Sequence, residues 1–428
     1  MALSTKPYKG TRDFFPEDMY LHRHIFQRLS EVIEGYGYQP YDGPMLEPFE
    51  LYAAKSGQEI VEKQLYWFMD RGERKVAMRP EMTPTLARMV ASRVMELPKP
   101  VRWYSIPNLW RYERPQRGRL REHWQLNVDI LGGESLWADA EILRVAYSII
   151  AAFEGQKNIK IFVNNRRLIN SVFKDQLKLS AEDALKASKA VDARDKIGEE
   201  AYNKQLVEIG LSAEQIATME DFFNSSLESA QSKFQCEGLD ELTSLFKILE
   251  NHPVSQVLEF NPKVMRGLDY YTGTVFEVFD VSPENNRAMF GGGRYDNLIG
   301  MFGNQTLSGV GFGMGDVTLK NFLETHKLLP DVASHIDVFF VTGNEDAIAK
   351  AAELAEPLIA AGIKTSLSLS TAKFNAQLKQ ANKLNAKLAI ILGENELKEN
   401  SATVKNLSTG EQNTLSMPIN LDELKKMI

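Results

Sequence analysis

Leu109-Trp-Arg-Tyr-Glu-Arg-Pro-Gln-Arg-Gly-Arg-Leu-Arg-Glu-His-Trp-Gln-Leu-Asn-Val-Asp129 carries two signals in one stretch. The residues leading into it, Val101 to Trp110, and those leaving it, His123 to Leu131, are rich in β-branched and aromatic side chains and read as strands. The centre, Glu113 to Glu122, is polar and basic. This reads as two antiparallel strands joined by a long charged loop. From Arg111 to Arg121 the loop holds five arginines (Arg111, Arg114, Arg117, Arg119 and Arg121), and Glu113 is the only acid among them. Guanidinium offers a planar fork of paired donors that matches two phosphate oxygens. A loop this basic in an acidic chain points to an anionic partner; a solvated charged hairpin is the plainer alternative.

The rest of the chain sets the bounds. With 428 residues, two or three domains are expected. Hydrophobic residues make up 43% and the formal charge is -7, so the chain has material for a core and is no bulk polycation. Any nucleic-acid contact must come from local basic patches. The one cysteine, Cys236, excludes an internal disulfide and a cysteine-built zinc site, and it fits a reducing compartment. Met1 to Asp13 lacks an apolar signal core, and no apolar run approaches the roughly 20 residues of a membrane span. A soluble, cytoplasmic protein with no membrane contact is expected.

Outward from the arginine loop, Asp18 to Gly35 has helical spacing and stops at Gly35-Tyr36-Gly37. Leu65 to Met69 and Lys75 to Met78 read as a hairpin turning at Arg71-Gly72. Thr83 to Val94 and Leu136 to Phe153 read as helices. Ser180 to Leu249, rich in Lys, Glu, Ala and Ser, reads as a helical insertion. Val254 to Gly315 returns to strands with glycines. Leu329-Pro330-Asp331 is a candidate linker. Beyond it, Val338 to Thr342, Glu345 to Ala361, Lys364 to Leu369, Phe374 to Leu384 and Lys387 to Leu392 alternate strand and helix, the pattern of a small α/β domain.

Three more segments carry chemistry. Met265-Arg-Gly-Leu-Asp-Tyr-Tyr-Thr-Gly-Thr-Val-Phe-Glu277 places Arg266, Asp269, Tyr270 and Tyr271 just before a strand, where they could read a small polar ligand. A tyrosine-rich turn into a core strand is the alternative. Phe290-Gly-Gly-Gly-Arg-Tyr-Asp296 and Gly309-Val-Gly-Phe-Gly-Met-Gly315 would let backbone approach a ligand or another strand. No Lys-Ser or Lys-Thr follows, so neither is a Walker loop. In Arg79-Pro-Glu-Met-Thr-Pro-Thr85, Thr83 suits a helix cap and Pro84 the first helical position. Glu81 has no such structural duty and could hold an ammonium group.

Together, and in this order, these segments resemble the histidyl-tRNA synthetase family of class II aminoacyl-tRNA synthetases over nearly the whole chain. Lys9-Gly-Thr-Arg-Asp13 looks like the family's opening, Gly35 to Glu47 like its dimer-forming first motif, and the arginine loop like motif 2. Arg-Gly-Leu-Asp-Tyr-Tyr271 is similar to the histidine-specific signature and is the most specific of these matches. The glycine-rich end resembles motif 3. The resemblance implies an α+β fold: an antiparallel class II catalytic core over residues 1–328, interrupted by a helical insertion at about 170–250, and an α/β anticodon-binding domain over 334–428. It implies histidine, ATP with Mg2+, and tRNA(His) as substrates, and a homodimer. Arg111 and Arg266 would hold the α-phosphate. Glu81, Thr83 and Gln125 would hold histidine's ammonium, Asp129 and Tyr271 would bracket its imidazole beside Tyr270, and Tyr295 would close the pocket. Arg111, Glu113, Arg119, His123 and Thr318 would face ATP, and Gln116 with its neighbours the tRNA acceptor end.

Two positions depart from the family pattern. Thr318 stands where motif 3 usually has arginine, and His123 where motif 2 usually has phenylalanine. Both flank adenine, so His123 is expected to stack on the ring and Arg119 to reach the γ-phosphate. The alternative function is a non-catalytic relative that serves as regulatory subunit of ATP phosphoribosyltransferase; Arg111, Arg266 and the C-terminal domain speak against it. A free-standing nucleic-acid-binding module would leave the histidine-pocket residues unexplained.

Overall fold

The computed structural model describes residues 3–54, 60–265, 271–285, 287–296, 299–303, 306–331 and 336–428. Contacts divide the chain into two units, Met1–Asp13 with Ile25–Leu329, and Phe14–His24 with Pro330–Ile428.

Helix α1 (Pro16–Gly35) leads into β1 (Gln39–Pro40), β2 (Leu46–Pro48), α2 (Phe49–Ala53), the hairpin of β3 (Trp67–Met69) and β4 (Lys75–Met78), and α3 (Thr83–Ser92). Next come β5 (Val101–Ser105), β6 (Asn108–Trp110), β7 (Glu122–Leu131), α4 (Leu136–Ala151), β8 (Ile159–Asn165) and α5 (Arg166–Ser171). The region read as an insertion is helical: α6 (Ala181–Ile197), α7 (Glu199–Ile209), α8 (Ala213–Phe223), α9 (Leu227–Lys233) and α10 (Glu237–Leu249). Then β9 (Leu258–Phe260), β10 (Thr274–Asp280), β11 (Ala288–Tyr295), β12 (Gly309–Gly315) and α11 (Asp316–Thr325) return to the main body.

The main sheet runs in the order β1-β5-β7-β12-β11-β10-β8-β9, with β6 also on β7. Its interior pairs are antiparallel; the outer pairs β1–β5 and β8–β9 are parallel. Val101 to Trp110, read as one strand, is two. Pro107 has no N–H for the ladder, so β5 stops at Ser105 and β6 restarts at Asn108, while the Pro107 carbonyl accepts from Gln125 N–H at 3.1 Å. Strand β7 alternates: Leu126, Val128 and Ile130 are buried on the face where α4 and α11 pack. Gln125, Asn127 and Asp129 therefore point to the opposite face. The edge around β5 is pinned by charge-assisted pairs: Arg102 donates twice to Glu141 of α4, at 2.7 and 2.9 Å, and Tyr104 donates to Glu34 of α1 at 2.6 Å.

The C-terminal unit has β13 (Ile336–Thr342), α12 (Glu345–Ala360), β14 (Thr365–Leu367), α13 (Phe374–Lys383) and β15 (Ala386–Leu392), then α14 (Glu394–Lys398), β16 (Ser401–Asn406), β17 (Gln412–Ser416) and α15 (Leu421–Met427). Its sheet order is β14-β13-β15-β16-β17, with the first three strands parallel and the last two added antiparallel. Helices α12 and α13 pack their apolar residues into separate clusters, one with Val338, Phe340 and Ile390, the other with Phe339, Val341 and Ala389. Neither β16 nor β17 was read from the sequence. Few of their side chains are buried, chiefly Ala402, Val404 and Leu415, so the alternation extends over only two residues of β16 and one of β17. The fold is α+β, as expected. No helix among the described residues is long and apolar enough to cross a membrane.

Candidate active site

The register of β7, β12 and β11 builds the site. Gly311 pairs with Asp129, Gly313 with Asn127 and Gly315 with Gln125. On the next strand Gly293 pairs with Gly311 and Gly291 with Gly313. Paired residues share a face, so the polar side chains of β7 lean over a floor of glycines. A Cβ on Gly311 would sit 2.2 Å from Asp129 Oδ1, one on Gly313 3.0 Å from the Gln125 amide, and one on Gly309 2.4 Å from the Tyr295 ring. The glycines are needed because these side chains cross them.

The resulting cleft holds about 500 Å³, open at its mouth. Among the residues singled out in the sequence, Glu81, Thr83, Arg111, Gln125, Asp129, Tyr271 and Tyr295 line it. Asn127, Gly291, Gly311, Phe312 and Gly313 line it too. Asn127 was missed although period-two alternation between Gln125 and Asp129 marks it. Thr83 does not cap its helix: Met82 is the N-cap and no side-chain cap bond forms. Thr83 lines the cleft instead, and Pro84 in the first turn reduces the need for a cap. Arg266 and Tyr270 lie outside the described residues.

Asp129 is 4% exposed and accepts a hydrogen bond from the Tyr295 hydroxyl. Burial pushes its carboxyl up to about 7, partly offset by that bond. A carboxylate desolvated this far is a strong acceptor for a ligand N–H.

A second cleft of about 320 Å³ is lined by Arg111, Glu113, Gly118, Arg119, Leu120, His123, Gly315 and Val317. Arg111 borders both clefts. Its Nε donates to the Pro80 carbonyl at 2.8 Å and its backbone N–H to the Arg121 carbonyl at 2.8 Å, which fixes the guanidinium between them. Desolvation, with Arg111 and Arg12 nearby, drives the His123 imidazole down to about 3, so its ring is neutral. Arg119 pairs with Glu113 at 3.5 Å. Thr318 lines neither cleft. Its hydroxyl donates to the Met289 and Gly315 carbonyls, both at 2.9 Å, as expected in a first helical turn, and Val317 lines the second cleft instead.

Residues 10–319 match the family model described as Histidyl-tRNA synthetase, and residues 337–427 the one described as Anticodon binding domain. The histidine–tRNA ligase of Leptospira biflexa is 45% identical over 431 positions, covering 99% of this chain and 98% of that one. The histidine–tRNA ligase of Haloarcula marismortui is 38% identical over 96% of this chain and 95% of its own. The crystal structure of histidyl-tRNA synthetase from Nostoc sp. PCC 7120 shares the fold: TM-score 0.81 at 22% identity, covering 100% of this chain and 99% of that one. On a family match this long, and relatives this similar along nearly their whole length, the chain belongs to the histidyl-tRNA synthetase family.

Proposed function

We propose that this chain attaches histidine to tRNA(His) in two ATP-dependent steps. In the first, the histidine carboxylate attacks the α-phosphorus of ATP, forming histidyl-adenylate and releasing pyrophosphate. In the second, a terminal ribose hydroxyl of tRNA(His) attacks the acyl carbon, and AMP leaves. The observation that carries this reading is the pair of clefts meeting at Arg111. One ends on a buried carboxylate; the other is walled by a neutral histidine and arginine. The acid-ended cleft suits the N–H groups of the amino acid and the arginine-lined one the phosphates of the nucleotide, so the two reactive centres meet at Arg111.

Each residue then has a task. Asp129 accepts one imidazole N–H, and Tyr271 faces the other ring nitrogen. Glu81, Thr83 and Gln125 receive the ammonium. Arg111, with Arg266, spreads the charge that builds on the α-phosphate. Tyr295 orients Asp129 by donating to it. Magnesium enters as part of the nucleotide substrate. The 337–427 unit binds the anticodon. A homodimer is supported by the sheet of β2, β4 and β3, which leaves Leu46, Trp67, Phe68 and Met69 about half-exposed, apolar surface of the kind a second copy covers.

Pyrophosphate exchange with each of the twenty amino acids tests the function. Exchange that depends on histidine alone is expected. No exchange with any of them would overturn the reading in favour of a non-catalytic regulatory subunit.

The nucleotide cleft has its own test. A neutral ring beside the cleft can stack on adenine, worth about 1–3 kcal/mol per base. His123→Ala should therefore raise the KM for ATP roughly tenfold and leave the KM for histidine unchanged. Arg119 is half-exposed and paired to Glu113, so its contact with the γ-phosphate is expected to be worth about 1.5 kcal/mol, the low end for a charged hydrogen bond. Arg119→Ala should raise the KM for ATP about tenfold. Unchanged KM values for ATP in both variants would rule out this placement of the nucleotide.

A further inference from the structure

Two tyrosines line the first cleft, Tyr271 just ahead of β10 and Tyr295 at the end of β11, and the residues beside them are tied to each other. Thr272 follows Tyr271, and Asp296 follows Tyr295. The Thr272 hydroxyl donates to Asp296 Oδ2 at 2.6 Å and accepts from the Asp296 N–H at 3.2 Å. The Thr272 N–H donates to the Arg294 carbonyl at 2.8 Å. The other carboxylate oxygen of Asp296 accepts from the Ser308 hydroxyl at 2.7 Å. Ser308 immediately precedes Gly309, the glycine over which the Tyr295 ring lies. One carboxylate thus joins three chain segments that each contribute to the cleft wall.

This knot does not float. Arg294 is 5% exposed and donates to Asp139 at the start of α4 and to the Gly133 carbonyl at 2.9 Å. Arg167 lies 3.8 Å from Asp296 Oδ2 and also pairs with Glu241 of α10. Asp296 therefore stands between the body of the sheet and the last helix of the insertion. None of these groups is among the described residues that line the cleft, so they reach it through Tyr271 and Tyr295.

We infer that Thr272 and Asp296 form a clasp that sets the spacing of Tyr271 and Tyr295 across the amino-acid cleft, making both positioning residues for the amino-acid substrate. The inference rests on the reading of this cleft as the histidine site. Without the clasp, the Thr272 N–H bond to the Arg294 carbonyl remains, and Tyr271 can shift relative to Tyr295 and the Asp129 carboxylate that Tyr295 orients. Displacements of about 1 Å at such a site cost up to roughly 10²-fold. The second cleft shares none of these contacts, so the nucleotide should not notice the loss.

Thr272→Val removes the hydroxyl at nearly constant volume; Thr272→Ser keeps it. In histidine-dependent pyrophosphate exchange, Thr272→Val should raise the KM for histidine about tenfold or more, with the KM for ATP within about twofold of the unaltered chain. Thr272→Ser should return the KM for histidine to within about twofold. Asp296→Ala should behave like Thr272→Val with a larger effect; if it fails to fold, the Val and Ser pair still decides. An unchanged KM for histidine in Thr272→Val, an equal rise for both substrates, or no rescue by serine would overturn the clasp. Absence of histidine-dependent exchange in the unaltered chain would instead overturn the function on which it rests.

Discussion

Asp129→Ala is expected to lower kcat/KM for histidine activation by about 10²- to 10³-fold with ATP binding nearly unchanged, because a charged acceptor and the ligand N–H it satisfies are lost together at about 3–4 kcal/mol. The carboxylate lies buried at the end of the cleft and is desolvated before any ligand binds. Wild-type-like KM for histidine in this variant would remove Asp129 from the site. The amide variant separates binding from folding. The raised pKa, about 7 against an ordinary 3.8, means the folded chain holds this proton more tightly than the unfolded one. The stability so gained is present below about pH 4 and lost as pH rises through about 7. At pH 8 the ionised carboxylate therefore works against the fold. Asp129→Asn should raise Tm more at pH 8 than at pH 5 while it weakens histidine activation. Equal Tm changes at the two pH values would show that burial does not disfavour the charged form.

The other large effect is on tRNA. A chain ending before about residue 334 lacks the unit matched as an anticodon-binding domain. Two contacts on one tRNA act through effective concentration, so losing one should cut charging efficiency by about 10²-fold or more. Pyrophosphate exchange, confined to the clefts of the first unit, should persist and serves as the check on folding. Charging by the truncated, folded core at the efficiency of the full chain would contradict the modular reading.

The arginine loop was legible because charge and periodicity change together there, and it is the segment that supplies Arg111 to both clefts. The glycine runs were legible only as places of close approach. What approaches could not be read, since the side chains of Asp129, Gln125 and Tyr295 reach them through a register set by pairing across more than a hundred residues. Thr83 misled for a related reason: a threonine before Pro84 has the local chemistry of a cap, but its position beside the cleft is decided by tertiary packing. Thr318 shows the reverse limit. Its difference from the family pattern was visible, whereas its turn onto two backbone carbonyls follows from its place in the first turn of α11. The clasp was invisible because Thr272 and Asp296, each inside a segment read for other residues, lie 24 positions apart and meet only in the folded chain.

The glycine floor also constrains how this site can change over time. A surface already reduced to hydrogen atoms cannot be hollowed further, and any mutation at Gly309, Gly311 or Gly313 adds bulk where a wall residue already lies. Enlarging the accepted amino acid is therefore closed to substitutions in the floor. Specificity can drift only by exchanging the side chains that cross it, and those are the groups proposed to bind the substrate. A lineage trying to relax this enzyme's choice of amino acid would have to pass through forms that bind no amino acid well. Selection would hold the floor and its walls as one inherited unit.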